Sequence, residues 1–361
     1  MRKRGKILFG VLNWGLGHAT RSIPVIQQLL AHNYEVVLAS DGAALALLQR
    51  EFPELIFEKL PAYNIRYSRN PRFFTLKLLA QTPHILKIMQ SEKKIVQKLV
   101  DKHQINLIIS DNRFGFKDPR ISNIYITHQL NVLSGWTTPL TTYLHRRIYR
   151  QFDEIWVPDY AGEINLSGRL GHLKKKDSKI KYIGSLHRIQ KIKTTPKYEV
   201  LVILSGPEPQ RSLLEKELIK QLSKLNLKSA LIQGLVNESG TLTHKQGIDI
   251  YNYLTRKNLQ KLINTSEVII SRPGYTSIMD LALISKKIIW IPTPGQKEQE
   301  YLARYHQKKY GFVCQKQTEI KLNNNIINTI PATAISLEKL YAENIIPLTE
   351  KFLDKFDKKS E

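Results

Sequence analysis

A chain of 361 residues that is 42% hydrophobic carries enough apolar material for two domains of ordinary size. No stretch approaches the roughly 18 consecutive apolar residues of a membrane span, the first apolar run is too short for a signal-peptide core, and the single cysteine excludes an internal disulfide, so a cytoplasmic protein is expected. Lys and Arg number 55 against 31 Asp and Glu, and this +24 excess suits a phosphate-bearing substrate, an anionic membrane surface or nucleic acid, although compositional drift accounts for it equally well.

Zinc-ligand spacing, an RRM-like signature and a basic heptad array are all missing from the sequence, which makes nucleic acid the weakest of the three partners. Short apolar runs alternate with helical patterns along the chain: KILFGVL, YEVVLAS, LIFEKL, INLIISD, NIYIT and EIWVPD, then EVLVILS, SALIQG, EVIIS and KIIWIP. Unbroken apolar runs separated by helices predict parallel strands buried on both faces, hence an α/β chain of two doubly wound halves. The polar stretch IQKIKTTPK at 189–197 marks the boundary, giving domains over 1–190 and 191–340 and a charged tail over 341–361 that packs back or frays. In such sheets ligands bind outside the carboxyl ends of the strands, so candidate chemistry belongs just after each run.

The first such place reads NWGLGH, where Gly15 and Gly17 allow a close backbone approach and His18 follows on a tight turn. A lone Gly-His is equally served by a histidine that bonds a loop carbonyl. The segment 64–99, with Phe73 and Phe74 among basic residues, suits either an anionic membrane surface or a helix packed on the sheet with a solvated basic face. Asp111 ends the buried run INLIISD, where a carboxylate needs a reason: it orients a histidine, caps the next turn, or pairs with Arg113. An Asp-His pair is what a general base requires, because the carboxylate fixes the tautomer and stabilises the imidazolium.

Later in the chain, YIGSLHR (182–188) and ILSGPEPQR (203–211) precede the most informative stretch, SRPGYTSIMDLALISKKIIWIPTPGQKEQEYLAR (271–304). Pro273 and Gly274 end a strand, Thr276 and Ser277 are capping residues, and a helical pattern begins at Ile278, so a helix N-terminus with free N–H groups stands where a diphosphate could bind. A plain strand-turn-helix with an N-cap fits the same pattern.

SRPGYTSIMDL resembles the donor-site motif of GT-B glycosyltransferases, both the MurG type of family 28 and the plant-type UDP-glycosyltransferases. That resemblance implies two Rossmann-like domains facing a central cleft. It places Ser271, Arg272, Gly274, Thr276 and Ser277 near the pyrophosphate of a UDP-sugar and Asp280, in place of the usual Glu, on the ribose. PTPGQKEQEYLA is similar to the segment that grips sugar hydroxyls, a role implied for Glu298 and Gln299 with Gln296 nearby, while Leu302 replaces the usual asparagine. YIGSLHR resembles a Gly-Asn-Pro-x-Arg turn, which makes Arg188 a phosphate clamp, and Ser205 and Gly206 match the glycine-rich loop of the second domain. In these families Gly17-His18 would end the acceptor-side loop and Asp111 would orient His18. The expected activity is metal-independent transfer of a sugar from a nucleotide-sugar, a UDP-sugar, to a lipid or glycan hydroxyl at the inner membrane face, with no cofactor. Two alternatives remain open: a nucleotide-sugar hydrolase or epimerase on the same fold, and a non-catalytic binder of nucleotide-sugars or nucleic acid.

Overall fold

Every residue of β1 (Gly5–Val11) from Ile7 onward is buried, because helices cover both faces of the sheet it lies in. The computed structural model describes residues 4–64, 80–235, 241–284, 286–331 and 337. The chain forms two compact units that divide between Leu186 and His187, so His187 and Arg188 belong to the second. The tail over 341–361 lies outside the described residues.

In the first unit β1 leads through α1 (Leu16–Ala31) to β2 (Tyr34–Ser40), α2 (Gly42–Glu51) and β3 (Ile56–Lys59). Then follow α3 (Thr82–His103), β4 (Leu107–Asp111), β5 (Ser122–Ile126), α4 (Thr138–Tyr149), β6 (Glu154–Val157) and β7 (Ile180–Tyr182). The strands pair in parallel in the order β3-β2-β1-β4-β5-β6-β7. The order reverses between β1 and β4, the switch point at which α/β sheets open a crevice for ligands. Gly10 of β1 is there for packing: a Cβ on it would meet the Phe116 ring at 2.5 Å. α3 turns Glu92, Val96, Leu99 and Val100 inward. The described part of the basic segment 64–99 is therefore, from Thr82 on, a helix packed on the sheet, and Phe73 and Phe74 lie outside the described residues.

The second unit contains β8 (Tyr198–Ile203), α5 (Gln210–Leu222), β9 (Ser229–Ile232), β10 (Leu242–Lys245), β11 (Ile248–Tyr251) and α6 (Arg256–Asn264). It continues with β12 (Ser266–Ser271), α7 (Tyr275–Leu281), β13 (Lys287–Trp290), α8 (Lys297–Tyr310), β14 (Val313–Cys314) and α9 (Asn324–Thr329). Its sheet order is β10-β11-β9-β8-β12-β13-β14, parallel except for the β10–β11 pair, and the switch falls between β8 and β12. Both halves are thus the expected doubly wound sheets. Among the described residues no helix is long and apolar enough to cross a membrane.

Candidate active site

After β1 the chain runs through Leu12, Asn13 and Trp14 to Gly15, whose φ of +76° is a left-handed conformation that a residue with a side chain adopts only under strain. α1 starts at once, so Gly17 and His18 stand in its first turn rather than on a loop before it. β4 lies beside β1 with Asp111 opposite Val11, and the Leu12 amide donates to the Asp111 carbonyl at 3.0 Å. That register carries the start of α1 over the end of β4. His18 Nδ1 stands 2.9 Å from Asp111 Oδ1.

Arg21, one helical turn after His18, binds the same carboxylate. Its Nε donates to Asp111 Oδ2 at 2.8 Å, its Nη2 donates to Oδ1, and Ser22 Oγ donates to Oδ2 at 2.9 Å. Burial alone would push the Asp111 carboxyl up, but the charge of Arg21, then that of His18, overrides it and holds the group well below the usual carboxylate range. At His18 burial and then Arg21 outweigh Asp111, and the imidazole sits below its ordinary 6.5. The Nη2 of Arg21 also lies 2.9 Å from His18 Nδ1. The His18 side chain keeps 12% of its surface exposed; a proton on Nδ1 donated to Asp111 would leave the lone pair on Nε2. Arg21 Nη1 reaches His128 Nδ1 at 2.7 Å; a guanidinium only donates, so that nitrogen accepts.

Arg113 does not pair with Asp111. Its guanidinium donates to Glu92 and, at 2.7 Å, to Asp41, while Tyr63 donates its hydroxyl to Glu92 at 2.6 Å. Asn13 donates to the second Asp41 oxygen at 3.0 Å. A polar cavity of about 260 Å³ opens beside the Gly15 turn, lined by Asn13, Trp14, Asp41, Tyr63 and Asn64.

In the second unit the ends of β8, β12 and β13 are neighbours. Ser205 and Gly206 follow β8, both exposed, with Gly206 at φ +101°. A Cβ on Gly206 would lie 3.5 Å from Thr293 Oγ1, so the loops after β8 and β13 abut. Ser271 closes β12 and its hydroxyl donates to the Ile203 carbonyl at 3.3 Å. Gly274 is the N-cap of α7, and no side chain caps it, so Thr276 and Ser277 are first-turn residues rather than caps. Gln296 is the N-cap of α8, Glu298 lies in its first turn, and Gln299 Oε1 accepts the Thr293 amide at 2.9 Å.

Residues 208–356 match the family model described as Glycosyltransferase family 28 C-terminal domain, and residues 5–132 match that of Glycosyl transferase family 1. The chain is 23% identical to the UDP-N-acetylglucosamine–N-acetylmuramyl-(pentapeptide) pyrophosphoryl-undecaprenol N-acetylglucosamine transferase of Clostridium tetani, over 93% of this chain and 95% of that one. Among solved structures it is similar to the glycosyltransferase SnogD of Streptomyces nogalater, with TM-score 0.63 at 11% identity over 97% of this chain and 96% of the other. It is also similar to Arabidopsis thaliana UGT89C1 in complex with UDP-L-rhamnose, with TM-score 0.61 at 12% identity over 99% of both chains. The chain is a GT-B glycosyltransferase by fold and by family model.

Three of the residues assigned by resemblance make their side-chain contacts within this glycosyltransferase itself. The Arg272 side chain is fully buried and donates to the carbonyls of Ile291 and Pro292 at 3.0 Å each, to that of Gln210 at 3.1 Å and to Gln317 Oε1 at 2.6 Å, while its Nε has no hydrogen-bond partner among the described residues. Burial lowers the guanidinium to about 10, and the residue acts as a tie between loops. Arg188 and Asp280, assigned by resemblance to phosphate and ribose, bind each other through the Arg188 amide at 2.8 Å, Nε at 3.1 Å and Nη2. A nucleotide would meet them as one unit.

Three participants escaped the sequence reading. Arg21 is spaced like any solvated helical arginine, and only the unexplained carboxylate at the end of a buried strand hints at a cation. Asp41 follows β2 at the neighbouring strand end, where the same rule of candidate positions would have found it. Thr293 is 2% exposed and its hydroxyl has no hydrogen-bond partner, a buried donor beside the Gly206 turn that a ligand could satisfy.

Proposed function

We propose that the glycosyltransferase moves a sugar from UDP to a hydroxyl of a lipid or glycan acceptor at the inner face of a membrane. The donor would be held by the second unit and the acceptor proton taken by His18 of the first. The observation that carries this reading is the His18–Asp111 contact at the switch point of the first sheet, reinforced by Arg21. An alcohol is a poor nucleophile until a base takes its proton, and an imidazole that burial and Arg21 keep neutral to lower pH suits that task. On the donor side the backbone N–H groups that open α7, with Ser277, Ser205 and Thr293, would hold the diphosphate, the Arg188–Asp280 unit would meet the nucleoside end, and Gln296, Glu298 and Gln299 the sugar. These groups would stabilise the leaving diphosphate without a metal. The relatives support the donor class, since one is named as a transferase from UDP-N-acetylglucosamine and another was solved with UDP-L-rhamnose.

The deciding experiment incubates the protein with a panel of UDP-sugars, with and without polyprenyl-linked and soluble sugar acceptors, and measures UDP release with and without EDTA. Acceptor-dependent, EDTA-insensitive release is expected. Release at equal rate without acceptor would make the protein a nucleotide-sugar hydrolase, and EDTA-sensitive release would overturn the metal-independent reading.

A further inference from the structure

Among the described residues nine large hydrophobic side chains are strongly exposed, and four of them fall between positions 136 and 144: Trp136 at 83%, Leu140 at 50%, Tyr143 at 57% and Leu144 at 40%. Trp136 stands on the 3₁₀ turn that leads into α4, and the other three follow at helical spacing, so with exposed Arg147 they form a single stripe. The opposite side of α4 is anchored, with His145 and Tyr149 buried against Tyr125 and Phe152. α4 therefore keeps its apolar residues outward although it already has a core-facing side. An exposed apolar stripe of this kind, rimmed by charge, is suited to an interaction surface.

We propose that this face of α4 is a docking surface for an anionic lipid bilayer. Charge selects that occupant. The sequence has no Asp or Glu between Asp118 and Asp153, while Arg147 and Arg150 stand exposed at the end of the stripe and the whole chain carries +24. A second copy seated there would bring arginines against arginines, whereas anionic headgroups complement them and the acyl boundary takes the apolar side chains. Tryptophan and tyrosine beside arginine is the composition of a membrane-interface belt. The surface lies outside the segment 64–99 in which the sequence suggested membrane contact. It rests on the membrane-acceptor part of the proposed function, yet its test reads lipid binding and not transfer.

Vesicles of phosphatidylcholine, with and without phosphatidylglycerol, are sedimented with the parent protein and three variants. Parent protein should partition onto phosphatidylglycerol vesicles, less so as salt rises. The double variant Trp136→Ser, Leu140→Ser should lose about tenfold or more in partition, because both apolar anchors are gone. Arg147→Gln with Arg150→Gln should lose mainly the preference for phosphatidylglycerol, and Ile192→Ser with Leu213→Ser, exposed apolar residues of the second unit, should bind as the parent does. All of these are exposed positions, so folding should persist, checked by unchanged UDP-induced thermal shift. Failure of the parent to bind vesicles, or equal binding by the Trp136 and Leu140 variant, overturns the proposal and leaves the transferase reading standing. Self-association of the parent that these substitutions abolish would likewise overturn it, by giving the face to a second copy. Absence of any UDP shift or UDP release would instead sink the donor reading alone.

Discussion

The two switch points of this molecule are built from similar strand ends and use their charges differently. In the first unit Arg21 and His18 converge on one carboxylate, Asp111, and His18 keeps part of its surface exposed. In the second the corresponding arginines are consumed internally, Arg272 by carbonyls and Arg188 by Asp280. The groups proposed above to hold the donor there are backbone N–H, hydroxyl and amide. A site that must move a proton needs a titratable group whose state is fixed by its neighbours, whereas a site that must hold an anion reversibly is served by neutral donors at a helix start.

Removing Arg21 should have the largest effect on the fold. Arg21→Met leaves the Asp111 carboxylate buried without its cation and should cost about 3–5 kcal/mol, whereas the pair change Arg21→Met, Asp111→Leu should recover most of that; chemical denaturation measures both. Next comes Arg272→Met, expected to destabilise by about 2–3 kcal/mol because carbonyls of Ile291, Pro292 and Gln210 lose their donor, with UDP affinity of the folded fraction little changed. A tenfold loss of UDP affinity at unchanged stability would instead restore Arg272 to ligand contact.

The pH profile should show a smaller effect. An imidazole at 6.5 keeps only about a quarter of its neutral form at pH 6.0. Because burial and Arg21 place His18 below 6.5, the neutral form should persist to lower pH, and the acid limb of kcat should fall below that value. A limb above 6.5 would mean that Asp111, not Arg21, governs the ring. The least change is expected from Ser277→Ala, about 1 kcal/mol in UDP affinity by calorimetry, the worth of one ordinary hydrogen bond.

Strands covered on both faces announce themselves, which is why β1, β4, β8, β12 and β13 and the positions after them were legible. β7, β10, β11 and β14 were not, because they are short, lie at or near sheet edges and carry polar residues such as His244 and Lys245. His18 and Asp111 could be read as a pair because both stand at the ends of buried strands and the resemblance implied that one orients the other; the β1–β4 pairing brings them together. A motif fixes where a backbone passes but not where a long side chain turns, and Arg272, whose guanidinium bends inward onto the carbonyls after β13, shows the limit. Thr276 and Ser277 looked like caps because hydroxyls usually are, yet Gly274 takes the cap position once Pro273 has ended the strand.

Initial-rate kinetics of His18→Ala, at saturating UDP-sugar and with UDP affinity measured in parallel, tests the central claim most directly. The account predicts a fall in turnover of roughly 100-fold or more with UDP affinity nearly intact, the signature of a lost general base. Full turnover in the variant, or loss of UDP binding with no change in rate at saturating donor, would contradict it.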